Sequence, residues 1–94
     1  MVQRRVTKTC CGRKAIIITS NKPVRKNHIS LFQQAGFNVP ENYVRSGLLY
    51  AKKGGFVATA SFGICNVNVR CSGAGCDDTI NLFEGILAKI EREP

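Results

Sequence analysis

The sequence predicts an α+β fold: an antiparallel sheet of four or five strands with two helices packed on one face, in the order β(β)-α-β-β-β-α. Three observations carry this. Residues 47–71 read as three consecutive strands joined by two glycine turns. Two segments, beginning at Pro23 and Thr79, repeat apolar residues at helical spacing. Residues 14–19 form an isoleucine-rich run too short for a helix. Each helix has one apolar stripe, and the last strand of the meander is apolar on one face only. Both stripes are buried if the helices share that face and leave the other open. Ninety-four residues make a single domain, 1–94, with residues 1–12 as a basic edge strand or arm.

In chain order, residues 2–10 alternate loosely. Val2 and Val6 fall on one face, among Arg4 and Lys8. Cys11-Gly12 suits a turn. The strand at 14–19 reads as covered on both faces because it is nearly all isoleucine. A helix is then expected from Pro23. Ser20 or Asn21 supplies the cap, and Val24, His28, Leu31, Phe32 and Ala35 form the apolar stripe. Gly36 ends it at the C′ position. His28 is the one histidine and reads as a satisfied, partly buried ring.

Residues 37–42 read as a loop leading through Tyr43-Val44-Arg45 into the meander. Its first strand is 48–52, followed by a turn at Lys53-Gly54-Gly55 and a second strand at 56–62. In its third strand, Cys65, Val67, Val69 and Cys71 alternate with Asn66, Asn68 and Arg70. Thr59, Ser61, Asn66, Asn68 and Arg70 are expected on the open face. No aromatic residue is expected there, which argues against base stacking. The loop at 72–75 is glycine-rich, but Asp77 and Asp78 would repel a phosphate. They suit the free N–H groups of the final helix, 79–91, instead. Gly85 weakens that helix and suggests close packing.

From Pro23 onward, the α-β-β-β-α order resembles that of a double-stranded-RNA-binding domain, and more faintly one half of a TATA-binding protein. The likeness is of arrangement, not of motif. The RNA-binding family opens its second helix with phosphate-binding lysines, where this chain has Asp77 and Asp78.

The net charge is +8, and its placement is uneven. Residues 1–53 hold eleven Lys/Arg and one acid, Glu41, whereas residues 54–94 hold three Lys/Arg and five acids. Such asymmetry points to a polyanionic partner. Arg25 and Lys26, at the start of the first helix, oppose its dipole and suit an anion there. No apolar run approaches the roughly 18 residues of a membrane span, and no export signal follows Arg4-Arg5, so a soluble cytoplasmic protein is expected. Five cysteines make an odd number for a disulfide framework, and buried free thiols are expected. Cys10-Cys11 with Cys71-x4-Cys76 is a poor spacing for zinc, so no metal and no cofactor is expected.

The expected function is nucleic-acid binding, to RNA or DNA. It would act mainly through phosphates contacted by Arg4, Arg5, Lys8, Arg13, Lys14, Lys22, Arg25, Lys26, Arg45, Lys52, Lys53 and Arg70. A protein-interaction module or small regulatory subunit with an acidic partner is the second reading, and a homodimer through the free meander edge is a further partner class. No catalytic constellation is evident, and an enzyme is not expected.

Overall fold

The computed structural model describes residues 2–10 and 13–92. The elements are β1 (Gln3–Cys10), β2 (Arg13–Thr19), a 3-10 turn (Lys26–His28), α1 (Ile29–Gln34), α2 (Glu41–Arg45), β3 (Leu48–Lys53), β4 (Phe56–Ser61), β5 (Asn66–Ser72) and α3 (Cys76–Glu91). The strands form one five-stranded antiparallel sheet, ordered β1-β2-β5-β4-β3. The expected turn at Cys11-Gly12 lies outside the described residues.

One core lies between the sheet and the helices. Ile16 and Ile18 of β2, Val67 and Val69 of β5, Phe56 and Ala58 of β4, and Leu49 and Ala51 of β3 all point into it. The helices meet them with Phe32 from α1 and Ile80, Phe83, Leu87 and Ile90 from α3. Phe83 sits at the centre of an aromatic cluster. Its ring centroid is 5.2 Å from Phe32, 5.3 Å from Phe56 and 5.8 Å from Phe37. These tilted and edge-on contacts use the ring quadrupole as well as the buried area.

Several expectations need correction. The first helix does not begin at Pro23. The Ser20 backbone N–H donates to the Cys65 carbonyl and its hydroxyl donates to the Lys22 carbonyl, while Gly63 N–H donates to the Val24 carbonyl. These bonds commit the segment to the sheet's end, and the helical turns start only at Lys26. His28 is buried, and its Nδ1 accepts the Arg25 backbone N–H at 3.0 Å, the satisfied role expected of it. Gly36, with φ of 94°, follows the helix as expected. Its N–H donates to Gln33 and that of Phe37 to Phe32, a double closure that only a left-handed residue permits.

Residues 41–45, expected as connection, form the short helix α2, with Glu41 and Arg45 paired at 3.0 Å across one turn. β2 is covered on one face only: Ile17 is half-buried on the other side. The β3–β4 turn is two residues, Gly54-Gly55, because Lys53 pairs with Phe56. A Cβ at Gly55 would stand 2.2 Å from the Ser72 carbonyl oxygen, so β5 requires glycine there. Gly85 has open space around its Cβ position, so close packing is not its reason.

Cys71 and Cys76, expected as thiols, are joined by a disulfide that ties the end of β5 to the first residue of α3. Cys65 is free and half-buried. Asp77 and Asp78 do not cap α3, which starts from Gly75 with no side-chain cap.

Candidate nucleic-acid interface

The ladder register determines which side chains share the open face, since directly opposed residues in a sheet point the same way. One row across all five strands reads Lys8, Ala15, Arg70, Val57, Lys52. The next reads Arg5, Ile17, Asn68, Thr59, Tyr50. Arg13 stands opposite Ser72 at the hairpin end of the same face. Arg5, Lys8, Arg13, Lys52 and Arg70 are all exposed and make no ion pair among the described residues. In the first row, cations occupy alternate strands, about 10 Å apart at normal strand spacing.

Lys8 reaches this face through an irregularity in β1. Val6 pairs with Ile16 and Lys8 with Ala15, leaving Thr7 as an extra residue. Strict alternation places Lys8 with Arg4 and Val6; the extra residue turns it to the opposite face. The Thr7 hydroxyl donates to the Ala15 carbonyl at 2.9 Å, which anchors the bulge to β2.

The carboxylates are elsewhere. Every acid among the described residues lies in α2 or α3: Glu41, Asp77, Asp78, Glu84 and Glu91. Two cations expected at the interface face these helices instead. Arg4 donates to Glu84 and, at 3.0 Å, to Asn81. The Glu84 hydrogen bond holds the Arg4 guanidinium above its ordinary pKa, so it is always charged. Lys14 donates to Asp77 at 2.7 Å and lowers that carboxyl below its ordinary range. The carboxyl of Glu91 is also lowered, by the Asn21 backbone N–H at 2.6 Å.

The remaining expected residues are dispersed. Lys53 turns to the helix side, donating to the Ala35 carbonyl at 3.0 Å with its ammonium 5.7 Å from the Phe37 centroid. Arg45 is paired with Glu41 on α2. Lys22, Arg25 and Lys26 lie near the opposite end of the sheet, where Val24 meets Gly63. Arg25 and Lys26 stand where the helical turns begin: Arg25 precedes the 3-10 turn Lys26–His28, which runs directly into the six-residue α1.

The expectation of an open face without aromatics fails at Tyr50, which lies opposite Thr59. The exposed Tyr43 of α2 stacks on it, with centroids 4.6 Å apart and planes at 11°. A readable signal did exist. A two-residue Gly54-Gly55 turn forces Lys53 opposite Phe56, and counting back puts Tyr50 on the same face as Thr59.

One depression marks this face, and another lies at the end of the sheet. The first, of about 540 Å³, lies mid-sheet and is lined by Tyr50, Thr59, Asn68 and Arg70 among others. The second, of about 990 Å³, lies at the hairpin end beside Lys8, Arg13, Lys14 and Arg70. Among the described residues, no three His, Cys, Asp or Glu side chains converge to hold a metal, and no helix is long and apolar enough to cross a membrane. The meander edge expected to pair a second copy is partly closed: Asn38 and Lys52 exchange backbone hydrogen bonds of 2.8 and 3.0 Å along β3. Comparison with family models, curated proteins and solved structures finds no match for this chain.

Proposed function

We propose that this protein binds nucleic acid on the open face of its sheet. The observation that carries the reading is the sorting of charge. Five exposed cations share one face with no acid, while the described acids all lie in the helices. Like charges about 10 Å apart repel weakly at physiological salt, where the Debye length is about 8 Å, and more strongly as salt is lowered. A polyanion relieves that repulsion and releases its own counterions on binding. The contacts would be phosphates at Arg5, Lys8, Arg13, Lys52 and Arg70. Arg25 and Lys26 would be distant from them.

Binding of the purified chain to labelled RNA and DNA at about 50 and 200 mM salt tests this. Five neutralised phosphates correspond to a loss of roughly 100- to 500-fold over that interval. Replacing Lys8 and Arg70 together by glutamine should reduce the slope of log affinity against log salt by between about 1.4 and 1.8. The Arg25→Gln, Lys26→Gln pair should leave it unchanged. No binding at the lower salt, or equal loss in both pairs, refutes the open-face reading.

A further inference from the structure

We infer that the occupant of this face is single-stranded nucleic acid, with one unpaired base lodged in the mid-sheet depression between Tyr50 and Arg70; the inference rests on the nucleic-acid reading above. A duplex turns its phosphates outward and keeps its bases stacked inside. It can satisfy the cations of this face, but it has nothing to place in a depression of about 540 Å³. That volume is within the roughly 300–1,000 Å³ typical of sites for small organic groups. An unpaired base is such a group, and every base has a π-face.

The lining matches that chemistry. Ile17 and Val57 contribute an apolar floor, and Tyr50 contributes a ring. Asn68 and Thr59, opposed in the β4–β5 ladder, contribute a carboxamide and a hydroxyl, so both donors and acceptors are available to a base edge. Tyr43 stacks on Tyr50 but does not line the depression. It therefore holds the Tyr50 ring in place, reducing the side-chain freedom lost on binding. Lys8 and Lys52 flank Arg70 in the same row, on either side, where phosphates of neighbouring nucleotides would run. Base stacking alone supplies little sequence preference, so mixed sequences should bind.

The test uses the full chain at about 50 mM salt, with a mixed-sequence oligonucleotide offered single-stranded and as its perfect duplex, in DNA and in RNA. The single strand should bind at least about 5-fold tighter than the duplex, the smallest advantage expected of one stacking contact. Tyr50→Phe keeps the ring and should bind nearly as the parent. Tyr50→Leu keeps apolar bulk without a ring and should lose roughly 5- to 150-fold for the single strand only. The chain has two tyrosines and no tryptophan, so Tyr43→Phe leaves Tyr50 as the one tyrosine fluorophore. Its emission should be quenched as the single strand binds.

Equal affinity for both forms, an unchanged Tyr50→Leu variant or an unquenched Tyr50 overturns the base-lodging inference. If the Lys8, Arg70 double variant still weakens binding in that case, the phosphate platform itself stands. Binding of neither form refutes both.

Discussion

On the helix-covered face of the sheet, the cations contributed by β1 and β2, Arg4 and Lys14, each meet a carboxylate of α3. On the open face, Arg5, Lys8, Arg13, Lys52 and Arg70 meet none among the described residues. Arg4 and Arg5 are chain neighbours, and Lys14 is next to Arg13, yet strand alternation sends each pair to opposite environments. The chain's lopsided charge thus has two components. Part of it is internal, fastening α3 to the sheet, and part stands without a carboxylate on the open face. Position along the sequence mixes the two, and the fold separates them by face.

The comparison is tested most severely where the covered face is densest. Phe83→Ala removes the ring shared by Phe32, Phe37 and Phe56, and should cost about 3–5 kcal/mol in denaturant unfolding. In any fraction that stays folded, the salt slope of nucleic-acid binding should be unchanged. A loss under about 1 kcal/mol would mean that the core is looser than these ring contacts imply.

The disulfide comes next, since it joins covered-face Cys71 to α3. Replacing Cys71 and Cys76 together by serine should lower stability by roughly 2 kcal/mol, the chain-entropy value for so short a loop. Reduction of the parent protein should reproduce most of that loss, and a parent indifferent to reductant would remove the bond from the account.

The adjacent arginines give the sharpest contrast. Arg4→Gln should cost up to about 1 kcal/mol of stability, as expected of a surface pair, and leave binding alone. Arg5→Gln should do the reverse, with stability within about 0.5 kcal/mol and a salt slope lower by about 1. Identical behaviour of the two variants would erase the distinction between faces.

Acid should act only on the covered side. The Asp77 carboxyl titrates below its unfolded value, so its contribution is present above the unfolded pKa and is lost as pH falls through the folded one. The dependence of urea midpoint on pH below about 4 should therefore flatten in Asp77→Asn. Arg13→Gln, across the sheet, should not change its shape.

The parts of this fold legible in the sequence are those with a clean period. In β5, Val67, Val69 and Cys71 alternate with Asn66, Asn68 and Arg70, and the structure keeps that division. In β3, Leu48 and Tyr50 are as apolar as Leu49 and Ala51, so alternation alone does not say which pair faces the core. The hairpin register decides it, and a turn read as three residues rather than two hides the answer. The start of the first helix is not legible locally because Ser20 and Val24 bond to the residues preceding β5, which are distant in sequence. Local capping signals cannot report such a competition.

The extra residue at Thr7 carries a consequence for how this surface changes over time. Substitutions alter one side chain each, but a single insertion or deletion within β1 changes the parity of every residue on one side of it. At Thr7 the bulge absorbs such a change: without Thr7, Lys8 would follow Val6 directly in a regular ladder and still stand opposite Ala15 on the open face. The charge of the platform thus withstands a one-residue change of length at this point.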